Sequence, residues 1–237
     1  MLKWLGPVAM TALIIGSCSQ KSDSALMTAP VAGSTEEAPV AVPTPPSVEG
    51  LPAGEYRLDP AHASLVFTVN HLGFSHYTGQ FTRFSAEMTL DPANPAAAQL
   101  TATVDPASLS IPSPPDGFVA ELTGDKWINA AAFPQMTFKS TSVAVTGSNT
   151  ANVTGDFTLR GVTKPLTLAM TFNGGYVGHV QDPHARVGFS ATGVLKRSDY
   201  GIDFGIPAPG STMGVSDEVT IAIETEFTGP PLATPAP

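Results

Sequence analysis

The stretch Val153-Thr154-Gly155-Asp156-Phe157-Thr158-Leu159-Arg160-Gly161-Val162-Thr163-Lys164-Pro165-Leu166-Thr167-Leu168-Ala169-Met170-Thr171-Phe172 alternates apolar and polar residues almost throughout. Val153, Gly155, Phe157 and Leu159 fall on one side of an extended chain, and Thr154, Asp156, Thr158 and Arg160 on the other. Leu166, Leu168, Met170 and Phe172 then repeat the pattern against Thr167 and Thr171. A period of two is that of a half-buried strand, because successive Cβ atoms point to opposite faces.

The same alternation extends outward in both directions. Leu65, Phe67, Val69 and His71 oppose Ser64, Thr68 and Asn70; Leu100, Ala102 and Val104 oppose Thr101 and Thr103. Val187, Phe189, Ala191 and Leu195 form another row, and Val219, Ile221, Ile223 and Phe227 oppose Thr220, Glu224 and Glu226. Roughly eight such runs are counted, separated by turn residues such as Asp91-Pro92-Ala93-Asn94-Pro95, Gly147-Ser148-Asn149 and Asn173-Gly174-Gly175. One wet and one dry face per strand suits an antiparallel sheet. The segment Asp116–Ala132, with Phe118, Leu122 and Trp127, lacks the alternation and predicts a short helical or irregular crossover over one end. A sheet this long must hide its edges, as a closed barrel or a sandwich, and periodicity leaves both open.

Composition narrows the function classes. The chain has 237 residues, of which 42% are hydrophobic and only 13% charged. Its 22 glycines and 23 prolines favour turns over long helices. With 11 basic and 20 acidic residues the formal net charge is −9, which argues against a nucleic-acid partner. A single cysteine excludes an internal disulfide framework and a multi-cysteine zinc site.

Residues 1–18 read as an export signal: Lys3 supplies the charge, Leu5–Ile15 the apolar stretch, and Ile15-Gly16-Ser17-Cys18 resembles a bacterial lipobox in which Cys18 is lipidated. The alternative is an ordinary signal peptide with an incidental cysteine. Ser19 after that cysteine resembles an outer-membrane sorting signal. The expectation is therefore a periplasmic protein held at the outer membrane by its N-terminal acyl chains. Residues 19–53 carry Pro30, Pro39, Pro43, Pro45, Pro46 and Pro52 and no aromatic residue, and read as a disordered, extended linker. Residues 54–228 form the domain, and 229–237 a short disordered tail.

Across that domain the sequence resembles the YceI family. Tyr56-Arg57-Leu58-Asp59-Pro60-Ala61-His62 is similar to its opening strand, and Phe67-Thr68-Val69-Asn70-His71-Leu72-Gly73-Phe74 with Gly79-Gln80-Phe81 to its second signature. Phe133-Pro134-Gln135-Met136-Thr137-Phe138-Lys139-Ser140 resembles a further block, and Val153–Pro165 matches the central hairpin. Arg197-Ser198-Asp199-Tyr200-Gly201 and Val215-Ser216-Asp217-Glu218-Val219 match the last two. Ala63 stands where the family often has serine, and the Gly174–Arg186 and Ile202–Gly214 segments follow no family pattern. The resemblance implies an all-β fold, an eight-stranded antiparallel lipocalin-like barrel with a short helical crossover. It further implies non-catalytic binding of a long amphiphilic lipid, of polyisoprenoid or quinone type, inside the barrel, with no cofactor.

On that basis the dry-face residues Leu65, Phe67, Val69, Phe81, Met88, Phe138, Phe157, Leu168, Met170, Phe189, Ile221 and Ile223 are the candidate lining. The same side chains would also fill a solid core, and the residues alone leave that open. His62, His71, Arg197 and Asp199 are candidates for the lipid head group, with a satisfied buried histidine and a structural Arg197–Asp199 ion pair as the plain alternatives. His71/His76 and His179/His184 are each five apart, which on a strand puts the partners on opposite faces, so no metal site is expected. No Gly-x-Ser-x-Gly elbow or phosphate loop occurs. Two other classes compete: a tethered β-sandwich that docks an envelope protein without a cavity, and a hydrolase using His62 or His71 with Asp59. A symmetric homodimer through an edge or mouth loop stays open, though no heptad or apolar stripe calls for one.

Overall fold

The computed structural model describes residues 49–232. The lipobox with Cys18, the greater part of the linker and the last residues of the tail lie outside them. Ten strand segments follow in chain order: β1 (Gly54–His71), β2 (Ser75–Phe81), β3 (Phe84–Leu90), β4 (Gln99–Val104), β5 (Leu109–Ser110), β6 (Met136–Val145), β7 (Thr150–Leu159), β8 (Val162–Tyr176), β9 (His184–Lys196) and β10 (Val215–Pro231). A single helical turn, α1 (Phe118–Leu122), lies in the crossover between β5 and β6.

These ten segments make eight barrel strands. β2 and β3 pair in succession with β1, so they are two halves of one strand broken at Thr82-Arg83. β5 pairs with β2 and β4 with β3, so they too are halves of one strand. Each strand then pairs antiparallel with its sequence neighbour through to β10. The ring closes where β10 pairs with β1, Leu65 opposite Ile223 and Val69 opposite Val219. An antiparallel barrel sealed in this way has no free edge, which settles the choice between barrel and sandwich.

The alternating stretch Val153–Phe172 forms the β7–β8 hairpin, with Leu159 opposite Val162. Between them Arg160 (φ 51°) and Gly161 (φ 74°) both take positive φ, the two-residue connection whose twist matches the flanking strands. Threonine hydroxyls pair across its outer face, Thr154 with Thr167 at 2.8 Å and Thr158 with Thr163 at 2.7 Å.

One end of the barrel is shut by a buried cluster of Leu51, Tyr56, Met88, Leu90, Phe172, Ala185, Val187 and Phe227. Tyr56 is fully buried and its hydroxyl donates to the carbonyl of Pro52 at 2.7 Å. Leu51 and Pro52 were expected in the linker; Leu51 joins the cluster instead, because an apolar side chain there covers the open end. β10 likewise runs past the expected boundary at Thr228 to Pro231, with Gly229 so close against the Tyr56 ring that a Cβ would not fit.

Candidate functional site

Above that cluster the barrel encloses a cavity of about 650 Å³. Apolar side chains from every barrel strand form its wall, and the crossover segment and the connection between β9 and β10 contribute Phe118, Glu121, Leu122, Trp127, Ile128 and Phe204 at the far end. A volume of this size is that of a specific small-molecule or lipid site. The walls do not collapse on it, partly because glycine and alanine alternate with aromatic rings. Gly79 faces Phe67 across β1–β2, where a Cβ would strike the ring. Ala86, Ala102 and Ala191 present only methyl groups to the interior.

Of the expected lining residues, Leu65, Phe67, Val69, Phe81, Phe138, Phe157, Leu168, Met170, Ile221 and Ile223 border this cavity. Met88 and Phe189 do not. They face inward, but at the height of the closing cluster, and border a second cavity of about 290 Å³ beside the β6–β7 turn. Phe189 there lies between Phe172 and Phe227, with ring centroids 5.5 Å and 6.1 Å away. Lining residues that alternation did not single out include Tyr77, Phe84, Leu109, Ile111, Met136, Trp127 and Phe204.

The polar side chains of the cavity wall are unevenly placed. His71, Tyr77, Glu121, Trp127 and Arg197 all border the end covered by the crossover, with Thr225 toward the other end, where its hydroxyl donates to the Phe189 carbonyl at 3.2 Å. His71, at the end of β1, is solvent-exposed and lies beside Tyr77, with ring centroids 6.0 Å apart.

Arg197 is the one charged side chain buried in this wall, 4% exposed. Its Nε donates to the carbonyl of Ser216 (2.9 Å), Nη1 to those of Ile202 (2.9 Å) and Phe204 (2.8 Å), and Nη2 to that of Val215 (2.8 Å). Burial pulls its pKa below the ordinary arginine value, while Asp217 and Asp203 act through space in the opposite direction. The guanidinium therefore pins the whole Ile202–Ser216 loop over the cavity. Its Cζ lies 5.3 Å from the ring centroid of Trp127, which in turn meets Phe204 edge-on at 5.5 Å.

The expected Arg197–Asp199 ion pair does not form. The two lie in one short turn, but Asp199 points outward to Lys164 (3.2 Å), half-exposed, and borders neither cavity. His62 is likewise not at the mouth. Residues 59–62 bulge out of the β1–β10 register, and the bulge carries His62 to the outer wall. There it meets Asp59 (3.0 Å), which also accepts from Arg186 (2.7 Å), with Glu226 3.9 Å from both His62 and Arg186. Arg186 and His62 hold the Asp59 carboxyl down at about 2, and Asp59 with Glu226 raises the His62 imidazole above its ordinary value. The Asp59–His62 pair of the hydrolase alternative therefore exists as an outer clasp between strands, remote in the fold from His71. Among the described residues no group of three or more His, Cys, Asp or Glu is placed to hold a metal ion.

Comparisons with known proteins agree with this architecture. The YceI-like domain family matches residues 56–227. A UPF0312 protein of Vibrio cholerae is 37% identical over 182 residues, covering 73% of this chain and 87% of the relative. One from Pseudomonas putida is 38% identical over 177 residues, covering 73% and 86%. Among solved structures, BcnA of Burkholderia cenocepacia superposes with a TM-score of 0.61 at 27% identity, over 71% of this chain and 98% of BcnA. A YceI protein of Campylobacter jejuni gives 0.57 at 28% identity, over 68% and 89%. A polyisoprenoid binding domain of Saccharophagus degradans gives 0.55 at 14% identity, over 76% and 100%, a likeness of fold.

Proposed function

From the premise that this chain belongs to the YceI family, we propose that its barrel binds and carries, or sequesters, a long amphiphilic lipid of polyisoprenoid or quinone type without transforming it. The observation that carries this reading is the cavity itself: about 650 Å³, apolar along its walls, with its polar side chains gathered mainly at one end. That polarity is the complement of an amphiphile. A hydrocarbon chain leaving water for such walls gains about 25 cal/mol per Å² of buried surface, and a few polar groups suffice to orient its head. The ten lining residues from Leu65 to Ile223 would hold the chain, and His71 and Arg197, which border the polar end, would lie nearest the head group. The protein is exported and lipidated at Cys18, so that it works at the periplasmic face of the outer membrane.

Native mass spectrometry and lipid extraction of the full-length chain, expressed with its own N-terminus in a Gram-negative host, test the reading. Expected is an adduct of defined mass at one lipid per barrel, with a tri-acyl modification at Cys18 that a Cys18→Ala variant lacks. A protein recovered without lipid that also takes up no added prenyl lipid would overturn the carrier function, whatever the state of Cys18.

A further inference from the structure

The indole of Trp127 borders the cavity, and its N–H is sealed from solvent with no acceptor among the described residues. It is the only buried side-chain polar atom so placed among them. Buried tryptophan N–H groups ordinarily find a partner, because an unmet donor costs the desolvation it suffered. The neighbouring Arg197 repeats the feature more mildly. A guanidinium carries five N–H groups, and four are committed to the carbonyls of Ser216, Ile202, Phe204 and Val215. No carboxylate pairs with it among the described residues, so its positive charge is offset only by peptide dipoles and by Asp217 and Asp203 at a distance. The two groups are stacked, Arg197 Cζ 5.3 Å from the Trp127 centroid. Both side chains border the polar end of the cavity, and between them they carry donors and positive charge and no acceptor.

We propose that the Trp127 indole N–H, backed by Arg197, is the hydrogen-bond donor for an acceptor oxygen on the head group of the bound lipid. The inference rests on the lipid-binding reading and adds to it a ligand chemistry: the head must offer a bare oxygen, a carbonyl or a phosphoryl oxygen. Two sources share that chemistry, a neutral ring carbonyl and an anionic phosphate. A pure hydrocarbon does not offer it, and an amine head would be repelled by Arg197.

The test compares three probes on the full-length protein: a prenylated benzoquinone, a prenyl phosphate of matched chain length, and squalene, which has no oxygen. Trp127→Phe keeps an aromatic ring against Arg197 and Phe204 and removes the donor together with part of the apolar ring surface, a loss that squalene reports by itself. Expected is a loss of affinity in Trp127→Phe about tenfold greater for an oxygen-bearing probe than for squalene, the size of one net hydrogen bond. The other tryptophan, Trp4, lies in the export signal that processing at Cys18 removes, so the remaining indole N–H resonance is that of Trp127. In the wild-type protein it moves downfield with the oxygen-bearing probe and stays in place with squalene, a readout that does not require the variant to fold. Sensitivity confined to the quinone identifies a carbonyl head, and sensitivity confined to the phosphate an anionic one. Unchanged affinities in Trp127→Phe and an unmoved indole resonance, in a protein that does bind the probes, would overturn the donor role and leave the carrier reading standing. A protein that binds none of the three would overturn both.

Discussion

Arg186 on β9 reaches across β10 to Asp59 on β1, its Nη1 2.7 Å from Oδ2, and so ties together three strands at the seam where the barrel closes. A second acceptor, Asp182, receives the Arg186 Nε at 2.7 Å. His62 completes the clasp from within the same bulge, so the seam carries its own titrating groups.

The signs of those titrations predict a stability profile. The Asp59 carboxyl is held at about 2 in the fold against an ordinary 3.8, so its contribution is present above pH 3.8 and is lost as pH falls toward 2. The His62 imidazole is raised above its ordinary 6.5, so its contribution is present below pH 6.5 and is lost as pH rises through the raised value. Asp59→Asn removes the first and the larger part of the second, since Glu226 also raises His62. The difference in melting temperature between wild type and Asp59→Asn should be greatest between about pH 4 and pH 6.5 and shrink on either side. Thermal melts in a pH series check this; a difference that keeps growing above pH 8 contradicts it.

Filling the cavity should separate binding from folding. Ala102 on β4 and its cross-strand neighbour Ala86 both face the interior. Ala102→Trp puts a large ring into the space that a lipid chain would occupy. The expected cost in stability is no more than about 1–3 kcal/mol, the range for overpacking, because the ring enters open volume. Lipid recovered per mole of folded protein should fall at least tenfold, as counted by extraction alongside urea unfolding.

The opposite separation is expected at the closed end. Tyr56 is fully buried yet borders neither cavity. Tyr56→Ala should cost about 3–5 kcal/mol in urea unfolding, the loss typical of a large buried aromatic. Tyr56→Phe should cost about 1 kcal/mol, for the bond to Pro52. In both, the folded fraction should take up the same lipid at the same stoichiometry.

Alternation reported which side chains point inward and not how high they sit. Phe67 and Phe189 have the same signature in sequence, yet one borders the large cavity and the other the aromatic floor. Alternation also cannot carry a face across a bulge. Tyr56 and Leu58 point inward at even positions of β1, whereas Leu65, Phe67 and Val69 do so at odd ones, because residues 59–62 shift the phase. That shift is what moved His62 outside. The same break at Thr82-Arg83 separates inward Phe81 from inward Phe84. Trp127, Glu121 and Phe204 left no periodic trace at all; they stand on a single helical turn and on irregular segments whose position over the barrel is set by long-range contacts such as those of Arg197. Their chemistry was legible only as a lone tryptophan inside a stretch without alternation.

The pairing of the first strand with the last has a kinetic side. Leu65 cannot meet Ile223, nor Val69 meet Val219, until nearly the whole domain has been made. Contacts this distant along the chain slow folding, since loop entropy must be met before the seam rewards it. A nascent chain that still lacks Val215–Pro231 exposes two raw strand edges and a wetted greasy interior, the features that invite aggregation. The last strand is therefore the step that ends this exposure, and loss of even the final few residues of β10 would prolong it.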